Sequence, residues 1–220
     1  MPLPPIECAR LSPFDATHLG DVRRAFDGAD AVSLGQAWRD TTEERFAPTT
    51  VRVGWREATL CVFAELTDVD IVTSATRDNQ RFWELGDTFE MFFQPGGREP
   101  YVEFHVAPNN RQLQLRFPDA GWLERAAPEH AFSQALLAPG RFASRVWVDT
   151  AAGQWCVLAE IPASAVCDTA VPLEGTEWRV SFSRYDHTRG CDAPVISSSS
   201  PHALPRFHRL HEWRPMRFRA

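Results

Sequence analysis

Residues Thr88–Val106 read TFEMFFQPGGREPYVEFHV. Two runs of alternating character flank the segment PGGREP, whose prolines and glycines supply turn chemistry and interrupt both runs. Side chains on a strand point alternately to opposite faces, so this arrangement predicts an antiparallel hairpin. Pairing Glu90 with His105 sets Phe92 opposite Glu103 and Gln94 opposite Tyr101. Glu90, Phe92, Gln94, Tyr101, Glu103 and His105 then share one face, read here as a wet, concave one. Met91, Phe93, Val102 and Phe104 take the other face, toward a core.

The same period of two extends outward in both directions. Thr50–Trp55 (TVRVGW) and Ala58–Thr67 (ATLCVFAELT) are separated by Arg56-Glu57, a second hairpin. Gln112–Phe117, Arg145–Val148, Trp155–Ile161 and Trp178–Tyr185 complete eight strands. Helix signals are confined to Asp78–Leu85, Pro128–Leu137 and the short Pro162–Val166. Ser197–Ser200 reads as loop. Many strands divided by turns, with a few short helices, predict an all-β fold. The expected form is an antiparallel β-sandwich, immunoglobulin-like or jelly-roll-like, with residues 1–220 as one domain.

Composition narrows the function. The 220 residues carry a formal net charge of -6, and 44% are hydrophobic. An acidic chain of this kind lacks the basic footprint of a nucleic-acid binder. Its longest apolar runs fall short of the ~18–20 residues of a membrane span. All 23 basic residues are arginine, which excludes Schiff-base chemistry on a lysine. The five cysteines show no CxxC spacing, and Cys61 and Cys156 lie in apolar strand patterns as buried thiols. MPLPPIECARLSPFD has neither a basic start nor an apolar h-region, so no signal peptide is read. An extracellular or periplasmic location requires a leader that has been removed.

Three blocks, VRVGWREATLCVFAELTDVDI, RDNQRFWELGDTFEMFFQPGGREPYVEFHVAPNN and WCVLAEIP followed by EWRVSFSRYD, stand in the order seen in family 9 carbohydrate-binding modules and DOMON-like domains. The terminal FHRLHEWRPMRF is similar to that family's closing strand, and FDGADAVSLGQAW matches loosely. The chain therefore resembles this family from about Val51 onward. The resemblance implies a β-sandwich that binds carbohydrate, a mono- or oligosaccharide, without catalysis. It places an aromatic platform at Trp83 and an acidic hydroxyl acceptor at Glu90. Four positions depart from the family's pattern: His105 replaces an arginine, Ser183 a glutamine, Leu204 an asparagine, and Phe207 the second platform tryptophan. The expected ligand-binding set is Trp83, Glu90, His105, Ser183 and Phe207, with no catalytic residue, metal or cofactor.

Elementary chemistry supports such a set, because an indole stacks on the C–H face of a pyranose while carboxylate and imidazole groups bind its hydroxyls. Trp55, Trp147, Trp155, Trp178 and Trp213 read as packing residues. Other chemistries are weaker. His202, His208 and His211 are irregularly spaced for zinc. Glu90 and Glu103 share a face as a glycosidase pair would, but nothing marks a further catalytic partner. Haem ligation of the DOMON-like kind needs axial ligands, and Met91 points away from His105.

Overall fold

The computed structural model describes residues 3–168 and 173–220. Among the described residues there are twelve strands: β1 (Ile6–Arg10), β2 (Ala31–Ser33), β3 (Thr49–Arg56), β4 (Thr59–Thr67), β5 (Thr88–Pro95), β6 (Tyr101–Val106), β7 (Gln112–Phe117), β8 (Ala143–Asp149), β9 (Gln154–Pro162), β10 (Glu177–Asp186), β11 (Val195–Ser198) and β12 (Arg214–Phe218). Four short helices accompany them: α1 (Leu19–Ala25), α2 (Trp122–Arg125), α3 (Pro128–Ala135) and α4 (Ala163–Cys167). No helix among the described residues is long and apolar enough to cross a membrane.

The mostly β architecture with few short helices is as expected. The form of the sheet is not. One continuous path runs β7-β6-β5-β10-β12-β1-β3-β4-β9-β8, with β11 on β10 and β2 on β3. Two separate antiparallel sheets were expected, but β1 joins the halves by pairing parallel to β12 on one side and to β3 on the other. The sheet also nearly closes into a barrel. Its end strands meet through side chains, where Asn110 Nδ2 donates to the Ser144 carbonyl at 3.2 Å and the Gln112 amide bonds the Ser144 hydroxyl at 2.7 Å. The five residues of β1 follow a proline-rich start and show too little alternation to announce the joining strand.

The interior follows the alternation. Val53, Trp55, Leu60, Val62, Met91, Phe93, Val102, Phe104, Val157 and Ala159 lie in a single buried cluster between the two halves. Each buried aliphatic or aromatic side chain contributes roughly 1.5–3 kcal/mol by leaving water. The hairpin register is also as read, with Glu90 opposite His105 and Phe92 opposite Glu103. In the connecting turn, Gly97 adopts φ +72°.

Three readings are corrected. Asp78–Leu85 is not a helix: Asn79 takes φ +59°, its N–H donates to the Gln112 carbonyl at 2.8 Å, and only Phe82–Glu84 coils into a 3₁₀ turn. Ser197 and Ser198 are not loop but lie in β11, paired with Arg184 and Ser183. The outer face of the hairpin is not wet. All six residues of β6 are buried, because a second apolar layer built from Phe82, Phe207, Leu210, Trp213 and the α3 region covers Phe92, Tyr101, Leu113 and Leu115. On the opposite half, α1 lays Val22 and Phe26 over Phe63 and Leu158 in the same manner.

Candidate ligand-binding cleft

The covering layer over β5, β6 and β7 is incomplete, and the gap is a cleft of about 530 Å³. Trp83, Phe132, Phe117, Leu123 and Phe207 supply apolar walls; Glu90, Glu103, Tyr185 and His208 supply polar groups; Arg81, Arg206 and Arg209 also line it. A volume of this size is ordinary for a small-molecule site, and a few polar groups converging among apolar walls is the usual composition.

The loop before β5 sets the position of Trp83. Asp78 accepts the Gln112 N–H at 3.0 Å, and Asn79 Nδ2 donates to the Leu137 carbonyl at 2.9 Å. At the other end Asp87 accepts the backbone N–H of Val72 at 2.5 Å and of His187 at 2.8 Å. Between these anchors the 3₁₀ turn holds the indole half-buried, with the Trp83 backbone carbonyl accepting from His187 Nε2 at 3.1 Å. The indole centroid lies 5.6 Å from the His105 ring and 5.9 Å from Phe132.

Beneath Trp83 lies a buried polar cluster. His105 is completely buried; its Nε2 donates to Glu103 in a very short contact, and its Nδ1 stands 3.5 Å from Glu90 Oε1. His208 Nε2 stands 3.5 Å from Glu103 Oε2, and its Nδ1 is hydrogen-bonded to the Tyr101 hydroxyl at 3.0 Å. Glu103 Oε2 and His105 Nδ1 have no hydrogen-bond partner. Burial, reinforced by Glu103, pushes the Glu90 carboxyl well above the usual range. Burial also works to raise Glu103, but His208 and His105 outweigh it and leave that carboxyl below its ordinary value. Burial lowers His208, against the opposing pull of Glu103. Burying an ionisable group costs several kcal/mol unless partners compensate. A cluster with orphaned polar atoms at the base of a cleft is therefore a candidate site for binding chemistry.

Of the five residues expected to converge, Trp83, Glu90 and Phe207 line the cleft and His105 lies directly under the indole. Ser183 does not line it. That residue is beside Glu90 across the β10–β5 pairing, fully buried, with its hydroxyl donating to Ser198 Oγ at 3.2 Å. Phe207 is a wall rather than an open platform, since Trp38, Phe92, Tyr185 and His202 pack around its ring at 5.8–6.4 Å. Leu204 is half exposed. Glu103 was legible through the hairpin register. Tyr185, His208, Phe132 and the arginines were not, because they come from elements whose approach to the hairpin no local period encodes. The three C-terminal histidines do not form one group: His202 is bonded to Glu212, His208 faces Glu103, and His211 is exposed.

No protein-family profile matches the chain, and no curated protein matches it significantly. Solved structures do. A candidate carbohydrate-binding protein from Bacteroides uniformis superposes with a TM-score of 0.72 at 19% identity, covering 97% of this chain and 98% of its own. A family 9 carbohydrate-binding module from Caldicellulosiruptor kristjanssonii, in complex with cellotriose, gives 0.64 at 15% identity over 99% and 94%. The structure of a family 9 module from the same organism with glucose gives 0.62 at 15% over 99% and 96%. The fold is thus that of a family 9 carbohydrate-binding module. A specific likeness to DOMON-like domains is not among these matches.

Proposed function

We propose that residues 1–220 form one non-catalytic carbohydrate-binding module that holds a mono- or oligosaccharide in the cleft beneath Trp83. The observation that carries this reading is a half-buried indole packed over the buried His105 ring, in a cleft also lined by the two buried glutamates that flank that imidazole. The indole gives a pyranose an apolar surface, and the carboxyl groups read its hydroxyls. Glu90, whose carboxyl burial pushes well above the usual range, accepts from a sugar hydroxyl and donates to one when protonated; Glu103 offers an oxygen that no protein group satisfies. The sugar-bound structures of similar fold support the ligand class.

Catalysis is disfavoured because Glu103, the carboxylate that would act as nucleophile, is fixed through Oε1 by His105 at the base of the cleft. Haem is disfavoured because Met91 packs in the interior cluster, on the face opposite His105. The single platform and the sequestered Ser183 lead to weak binding, of millimolar order or about -4 kcal/mol. A glycan array followed by calorimetry tests the proposal. Trp83→Ala is expected to abolish the heat of binding while leaving the melting temperature nearly unchanged. Equal affinity in the variant would reject the site.

A further inference from the structure

We propose that Glu90 and His105, with Glu103 holding the imidazole from its other nitrogen, form a binding site for one divalent transition-metal ion, with zinc as the reference ion, at the base of the cleft. One donor atom from each residue lies within 4.8 Å of the other two. With Nε2 against the Glu103 carboxylate, the neutral imidazole offers its lone pair at Nδ1, and that atom is buried without a partner. It points at Glu90 Oε1 across 3.5 Å, too far for a good hydrogen bond. Two donors about 3.4 Å apart form one edge of a tetrahedron with bonds of about 2.1 Å, the zinc–imidazole and zinc–carboxylate length.

The surroundings have the parts a metal site requires. An imidazole ligand usually donates its second nitrogen to a carboxylate, which fixes its tautomer and raises its basicity; Glu103 does this for His105. Mixed imidazole and carboxylate donors suit zinc and neighbouring transition metals better than calcium or magnesium. The two glutamates match the charge of a divalent ion in a place where uncompensated charge is costly. Glu90 and Glu103 both line the cleft, so coordination positions left open face the space a ligand would enter. A role for the ion in gripping sugar hydroxyls rests on the carbohydrate-binding reading; the ion site itself does not. It also departs from the sequence expectation of no metal at these residues.

The test titrates zinc chloride alone into chelator-stripped protein by calorimetry, with cobalt(II) absorption as an optical check. One ion per chain is expected, and cobalt should develop visible bands of a low-coordinate site. Glu90→Gln and His105→Gln should each weaken binding at least about 100-fold, and Glu103→Gln about 10–100-fold. His211→Ala, at an exposed imidazole elsewhere, should bind zinc as the native chain does. If His105→Gln does not fold, Glu90→Gln, which keeps the side chain's shape, decides the matter. Absence of zinc binding, or binding unchanged in Glu90→Gln, overturns the ion site. Zinc binding without any glycan binding would keep the ion site and overturn the sugar reading.

Discussion

At the scale of single residues, the position of Phe207 determines what the cleft can grip. A tryptophan there would present a second stacking surface only if the ring stood free. Instead four aromatic rings enclose it, and the Trp213 indole N–H donates to its backbone carbonyl at 2.7 Å. Phe207→Trp should therefore not restore a two-platform site. Enlarging a side chain in a packed environment costs about 1–3 kcal/mol, and chemical denaturation should report that loss with no gain in sugar affinity by calorimetry. A gain in affinity at unchanged stability would show that the ring swings out on binding. Trp83 differs because its half-exposed indole rests on a 3₁₀ turn anchored at both ends. Sequence made the Glu90–His105–Glu103 face readable, since a hairpin register follows from strict alternation. It did not show that the face is covered, because Leu210 and Trp213 reach it from the far end of the chain.

At the scale of elements, two turns hold the site in register. Gly86 closes the Trp83 loop at φ +141°, and a Cβ there would lie 2.3 Å from the Val72 carbonyl oxygen. Backbone cannot give way as a flexible side chain does, so Gly86→Ala must displace the loop that carries the indole. The expected loss is about 1–3 kcal/mol of stability, typical of forced backbone strain, together with weaker sugar binding. Gly97, at φ +72°, faces open space and needs glycine only for its backbone conformation. Gly97→Val should lower stability by about 1–2 kcal/mol and leave the cleft walls in place. Thermal melts paired with ligand titration separate the two cases, and equal behaviour of both variants would contradict this division. The hairpin and its turn were legible because proline and glycine punctuate strong alternation. The conformation of 78–85 was not, because the contacts of Asp78 and Asn79 with β7 override local helix preference.

At the scale of the whole molecule, joining the two halves buries charge, and that burial makes stability depend on pH. Asp87 lies fully buried at the head of β5. Facing it are Asp68 from the end of β4 and Arg184 from β10, with Asp186 bonded to the same guanidinium at 3.0 Å and the His187 N–H donating to Asp87 at 2.8 Å. Burial, then Asp68, pushes Asp87 up to about 8, against the two backbone hydrogen bonds and Arg184. A carboxyl whose folded pKa exceeds its unfolded value binds its proton more tightly when native. Its ionisation therefore removes stability as pH rises from the unfolded value toward the folded one. Asp186, raised by burial to about 6, contributes in the same direction but is exhausted near neutrality. Burial lowers His187, His202 and His208, so they add stability as pH rises toward 6.5 and fall silent above it. The buried thiols of Cys8, Cys61 and Cys156 are raised by burial and oppose folding only as unfolded thiols begin to ionise near pH 9. Between pH 7 and 8.5 the loss belongs chiefly to Asp87, with Glu90 acting in the same sense. A single proton taken up by the native state gives a slope of about -1.4 kcal/mol per pH unit, so about -1 is expected as Asp87 approaches its midpoint. Urea unfolding of chelator-stripped protein at half-unit steps measures that slope directly. Constant or rising stability across the interval would show that Asp87 is already ionised at neutral pH, matched by Arg184.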